Sequence, residues 1–268
     1  MGKSTGIQWT DATFNPWWGC AKVSPGCDHC YAETFARRYG HDVWGIGTPR
    51  RFFGTRHWHE PEAWNAAAER EGKRRRVFCA SMADVFEDRA DLEPPRRQLW
   101  ALIDRTPHLD WQLLTKRPQN IERMLPERWW HGFPENVWLG ASVEDQANVK
   151  RARWLRSQPG AVRFLSCEPL IGPLTMDLWA DVLIGPDDGD PTIDWVIVGG
   201  ESGPRARPMH EDWVRAIVST CRLNGVAVFV KQLGSVWARE NGARDGHGGD
   251  WSEWAPDLRV REFPAVRA

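Results

Sequence analysis

Trp195-Val196-Ile197-Val198-Gly199-Gly200-Glu201-Ser202 decides how the rest of the chain is read: four apolar, β-prone residues run without alternation, then give way to two glycines, a carboxylate and a hydroxyl. An unbroken apolar run of this length reads as a parallel strand buried on both faces. The polar cluster behind it reads as a strand end opening onto a site, because β/α folds build their sites at the carboxyl ends of the strands.

The arrangement recurs. Val77-Phe78-Cys79-Ala80, Trp111-Gln112-Leu113-Leu114, Val137-Trp138-Leu139-Gly140, Arg163-Phe164-Leu165-Ser166 and Val226-Ala227-Val228-Phe229-Val230 are runs of the same kind, and a first strand is expected near Thr13 to Trp18. Intervening stretches such as Pro94 to Ile103 and Val143 to Ala152 have the length of one helix. Alternating strand and helix predicts an α/β protein built as an incomplete or near-closed parallel (β/α) barrel of about six to seven strands. A flat doubly wound sheet is the alternative, weakened by the lack of G-x-G-x-x-G after the first strand and of G-x-x-x-x-G-K-S/T anywhere. The 268 residues suit one barrel domain over 1–268. Its Gly- and Trp-rich extension at about 234–268 reads as a loop and short closing hairpin.

Each expected strand ends in groups that can do chemistry: Ser81, Asp84 and Glu87; Thr115, Lys116 and Arg117; Ser142, Glu144 and Asp145; Cys167 and Glu168; Glu201, Ser202, Arg205 and Arg207; Lys231 and Gln232. Any one of them is as readily a solvated loop residue. Six loops delivering ionisable groups to one end predict a site, with Lys116, Cys167, Glu168 and Lys231 as catalytic candidates. Lys116, Arg117, Arg205, Arg207 and Lys231 would form a cationic mouth for phosphate or carboxylate, each with a plain salt bridge as its competing explanation. Gly199, Gly200 and Gly203 imply a close approach to a ligand, a positive φ, or a tight turn.

Cys20, Cys27 and Cys30 stand as C-x6-C-x2-C around the turn-prone Val23-Ser24-Pro25-Gly26, so one loop can fold three thiolates onto one centre. Structural zinc takes four ligands, and a single triplet lacks an obvious second pair, although His29, Cys79 or Cys167 would complete the set. A 4Fe–4S cluster on three cysteines leaves one iron open to a substrate or cofactor. Nothing at the amino terminus resembles a signal sequence and no run of about eighteen apolar residues occurs, so a cytoplasmic protein with no membrane partner is expected. Six cysteines in a reducing compartment then read as ligands or packed thiols rather than a disulfide framework.

A net charge of -1 does not mark a nucleic-acid binder, although Lys73-Arg74-Arg75-Arg76 and Lys150-Arg151-Ala152-Arg153 are locally basic. Eighteen tryptophans are unusual; most belong in the core, and Trp17-Trp18 beside Cys20 either join it or stack on a base or adenine.

Cys27-Asp28-His29-Cys30-Tyr31-Ala32 resembles the second half of the radical S-adenosylmethionine (SAM) cysteine motif, with His29 where an aromatic usually precedes the last cysteine. Six residues rather than the usual three separate its first two cysteines. The chain as a whole resembles an uncharacterised bacterial and phage family with a three-cysteine motif, itself similar to divergent radical SAM enzymes such as spore photoproduct lyase. The likeness runs through Ile7-Gln8-Trp9-Thr10, Asn15-Pro16-Trp17, Leu114-Thr115-Lys116-Arg117-Pro118, Gly199-Gly200-Glu201-Ser202-Gly203, Lys231-Gln232-Leu233-Gly234 and Glu262-Phe263-Pro264.

That resemblance implies a 4Fe–4S cluster on Cys20, Cys27 and Cys30, with SAM bound at the open iron and cleaved to a 5′-deoxyadenosyl radical. It implies cofactor-binding roles for Ser81 and Asp84 after the second strand and for Ser142 and Glu144 where ribose hydroxyls are often held, with Glu201 and His29 as further candidates. The superfamily's Gly-Gly-Glu element follows its second strand, whereas here it follows a late one. An electron donor is needed, and a nucleic acid or nucleotide is the expected substrate, with a partner protein left open. A zinc- or cluster-containing binding or regulatory protein is the alternative. A metal-independent hydrolase or lyase on Cys167-Glu168 or His210-Glu211 has no supporting triad spacing.

Overall fold

The computed structural model describes residues 5–175, 183 and 192–265. The chain is α/β. Among the described residues its strands are β1 (Ala12–Thr13), β2 (Trp17–Trp18), β3 (Arg51–Phe52), β4 (Arg75–Cys79), β5 (Leu109–Thr115), β6 (Val137–Ser142), β7 (Val162–Cys167), β8 (Trp195–Gly199) and β9 (Ala227–Gln232). The helices are α1 (Tyr31–Arg38), α2 (Thr55–Trp58), α3 (Glu60–Glu71), α4 (Glu93–Asp104), α5 (Ile121–Met124), α6 (Lys150–Arg156), α7 (Glu211–Leu223) and α8 (Gly234–Glu240). Seven strands hydrogen-bond in the order β1-β4-β5-β6-β7-β8-β9. The β1–β4, β4–β5, β7–β8 and β8–β9 pairs are parallel. Because β1 and β9 stand at opposite ends of that order, the barrel is incomplete, as expected.

Contacts divide the chain into two compact units. The first comprises Met1–Val23, Ala32–Gly140 and Gln158–Ala161; the second comprises Ser24–Tyr31, Ala141–Ser157 and Val162–Ala268.

In the first unit, β4 carries Val77 opposite Trp111 of β5. Phe14, Trp17, Val77 and Trp111 are fully buried there. Helix α4 starts at Glu93-Pro94-Pro95, where a proline costs no hydrogen bond, and buries Leu99, Trp100, Leu102 and Ile103 along one stripe. The expected first strand is divided. Only Ala12–Thr13 joins the main sheet, while Trp17–Trp18 turn away to pair antiparallel with Arg51–Phe52. Trp17 and Trp18 are core residues, 0% and 7% exposed, which excludes base stacking on Trp17 in this conformation.

In the second unit, α7 buries Val214, Ile217, Val218 and Cys221 at helical spacing and opens on Glu211 and Asp212, which suit its positive end. Two expectations are corrected. Val143 to Ala152 is α-helical only from Lys150, because Asp145 accepts from the Asn148 amide at 3.1 Å and caps a separate 3-10 turn over Gln146–Asn148 first. The extension opens on a helix, α8, rather than a loop, and its end returns antiparallel to β9, with the Glu262 amide donating to the Val228 carbonyl at 2.9 Å. No helix among the described residues is long and apolar enough to cross a membrane.

Candidate cysteine-loop site

The first unit holds Cys20. Gly19 before it has φ +117°, and a Cβ there would stand 2.3 Å from the Val43 carbonyl oxygen, so only glycine allows this approach. The Gly19 amide donates to the Met82 carbonyl at 3.0 Å, fastening the segment to the loop after β4. At the end of β5, the Arg117 guanidinium donates to Asp84 Oδ2 at 2.8 Å, to the Ala21 carbonyl at 2.7 Å and to Cys20 Sγ at 3.7 Å. Burial, reinforced by the Asp84 charge and opposed by Arg117, pushes the Cys20 thiol up to about 12.

That loop is itself held by arginines. Asp84 accepts from Thr115 Oγ1 at 2.7 Å and from the Lys116 amide at 3.1 Å. Glu87 takes both ends of the Arg50 fork, at 3.1 and 2.6 Å, and Arg96 donates to the carbonyls of Val85 and Glu87 at 2.7 and 2.6 Å. Ser81 accepts from Asn15 Nδ2 at 3.1 Å. Bidentate, charge-assisted bonds of this kind fix geometry as well as lower energy.

The second unit holds Cys27 and Cys30. Their segment is a single turn, closed by the Cys27 amide on the Ser24 carbonyl at 2.9 Å, and it is fastened at two strand ends. After β6, Glu144, with no exposure, accepts from Ser24 Oγ at 2.7 Å and from Arg151 Nη1 at 2.6 Å. After β8, Glu201 lies 3.2 Å from His29 Nδ1 and accepts from Arg207 Nη2 at 2.6 Å, while Arg207 Nη1 donates to the Pro25 carbonyl at 3.0 Å. Burial raises the Glu201 carboxyl, but the bonds from Arg207 and His29 outweigh it and leave it below the ordinary carboxylate range.

The expected site residues thus separate by unit. Ser81, Asp84 and Lys116 lie with Cys20; Ser142, Glu144, Glu201 and His29 lie with Cys27 and Cys30. Ser142 is buried, its carbonyl accepting from Arg151 at 3.0 Å. Glu168 and Lys231 form an ion pair with each other. Cys167 is fully buried, and burial pushes its thiol well above the ordinary range. Arg117, Arg207 and Lys231 of the expected cationic mouth each face a carboxylate. The basic runs are likewise paired: Arg74, Arg75 and Arg76 with Asp110, Glu71 and Asp11, and Arg151 with Glu144. Gly200 is glycine because a Cβ would meet the Leu233 carbonyl oxygen at 2.4 Å, a chain-to-chain approach that needs no ligand.

Sequence reasoning missed Arg50, Arg96 and Arg151 as partners and Ser24 as a fastener. Arg50 and Arg96 sit in no recognisable motif, and each of the four meets a residue distant in sequence or on another element.

No cysteine forms a disulfide, and Cys20, Cys27 and Cys30 are each half-buried. Three soft thiols within eleven residues are a donor set suited to iron–sulfur chemistry. Among the described residues, no group of three or more His, Cys, Asp or Glu side chains is gathered so as to hold a metal ion. The donor types therefore fit a cluster, while the liganding geometry is not assembled in this conformation.

Fold and site together define an α/β protein with an open parallel sheet and a cysteine loop fastened at strand ends. Residues 4–256 match a family described as protein of unknown function, DUF5131, and the chain belongs to that family. No curated protein and no solved structure matches it.

Proposed function

We propose that the chain is an iron–sulfur enzyme of the radical SAM type, in which Cys20, Cys27 and Cys30 hold a 4Fe–4S cluster and a nucleic acid or nucleotide is repaired or modified. When bound, such a cluster supplies one electron to the sulfonium of SAM and breaks a carbon–sulfur bond. The observation that carries the reading is the fastening of the Cys27–Cys30 segment to the ends of β6 and β8 through Glu144 and Glu201. Strand carboxyl ends are where β/α proteins assemble their chemistry, and a buried carboxylate is a costly fastener to keep for an idle loop.

The chain's own residues have separable roles in this reading. Arg117 orients Cys20 and offers its sulfur an N–H donor, the kind of bond that tunes cluster potentials. Glu144 and Glu201 hold the second cysteine segment, and Ser81 and Lys116, half-buried at strand ends, would take part in binding SAM or substrate. One observation favours a binding or regulatory protein instead: Asp84, Glu144 and Glu201 are each engaged by an arginine, an arrangement built for rigidity.

Anaerobic reconstitution with iron and sulfide tests the proposal. About four irons per chain, with a visible charge-transfer band lost in Cys20→Ala, Cys27→Ala and Cys30→Ala, is the expected result. Zinc in place of iron, or binding indifferent to all three substitutions, overturns it.

A further inference from the structure

Part of the first unit's surface has no role in the cysteine loop. Phe35 on α1 is 39% exposed and Tyr39, just past its end, 62%. Their rings meet at 4.7 Å, and Phe35 continues inward to Trp18 at 6.0 Å. Trp18 forms a floor with Phe53 at 5.9 Å, and the Arg51 guanidinium lies over both rings, 4.6 Å from Trp18 and 5.1 Å from Phe53. Exposing two adjacent rings is costly in water, and the described residues leave both of them open to it to this extent.

The charge around these rings is positive. Arg37 has carboxylate partners, Glu33 at 2.9 Å and Asp42 at 3.9 Å. Arg38, three residues after Phe35, and Arg51 have no carboxylate within ion-pair distance among the described residues. Exposed rings beside unneutralised guanidinium groups provide the two things a single-stranded nucleic acid needs: π-faces for unpaired bases and cations for phosphates. A duplex hides its base faces and gains only the second.

We propose that Phe35, Tyr39, Arg38 and Arg51 form a docking surface for single-stranded nucleic acid, with bases stacked on the two exposed rings and the backbone along the arginines. This deepens the substrate class proposed above and rests on the nucleic-acid part of that reading, not on the cluster. A strand held here would present unpaired nucleotides without the cost of flipping them from a duplex.

Fluorescence anisotropy on the full chain tests it, with no iron, SAM or reductant added, using labelled oligothymidylate, oligouridylate and a DNA duplex of equal length. Either single strand is expected to bind at least about tenfold more tightly than the duplex, and Phe35→Ala and Tyr39→Ala each to weaken it about tenfold. Arg38→Gln is expected to reduce the slope of log affinity against log salt by about 0.7. Trp130→Ala, at an exposed tryptophan outside the cluster, should change nothing. If Phe35→Ala misfolds, Tyr39→Ala at the more exposed ring decides. Equal affinity for duplex, indifference to Tyr39→Ala, or binding only to phosphatidylserine vesicles overturns the inference. Because no cofactor is present, failure here leaves the cluster reading intact, and failure to load iron leaves this surface intact.

Discussion

Ser24 Oγ donates to Glu144 Oε1 at 2.7 Å, across 120 positions of sequence, and so ties the turn that carries Cys27 to the carboxyl end of β6. Glu144 is wholly buried, and its other oxygen accepts from Arg151 at 2.6 Å. A buried carboxylate with these partners holds one geometry, and much of the cysteine segment's position depends on it.

Removing one partner of a buried ion pair leaves an uncompensated charge. Arg151→Met is therefore expected to lower unfolding free energy by ~3–5 kcal/mol, and the double substitution with Glu144→Met to restore most of it. Urea denaturation of the two variants measures the difference.

Gly26 is required by packing. A Cβ there would sit 2.5 Å from both Cγ and Oε1 of Glu144, so Gly26→Ala must push the turn away from its fastener. The expected cost is ~1–3 kcal/mol, with Ser24→Ala showing a smaller loss, by thermal unfolding.

Glu201 gives a pH dependence. Its carboxyl is held below the ordinary range when folded, so the unfolded chain binds the extra proton first as pH falls. The stabilisation is complete above the ordinary carboxylate pKa of about 4.3 and is lost as pH falls through the folded value. The melting-temperature gap between the protein and Glu201→Gln is expected to be full at neutral pH and to close in acid. A gap that widens in acid contradicts the assignment.

The strands were legible because parallel strands buried on both faces leave continuous apolar runs, and Trp195 to Val198 has no exposed position to interrupt it. The segments Trp17–Trp18 and Arg51–Phe52 were not, since two residues carry no period. Helix α8 was hidden by the punctuation at Gly234, whose φ of +93° belongs to a close approach to Gly200 and Glu201 rather than to a loop. Of the site, the cysteines and the strand-end polar groups could be read, because motif spacing and strand ends are local. Which carboxylates would be neutralised could not, since Arg50 reaches Glu87 over 37 positions and only the fold brings them together.

The most direct measurement is electron paramagnetic resonance of the reconstituted, dithionite-reduced protein with and without SAM, beside Cys27→Ala. The account predicts a reduced 4Fe–4S signal that SAM shifts and that the substitution abolishes. A loaded cluster whose signal SAM leaves unchanged, or no cluster at all, contradicts it.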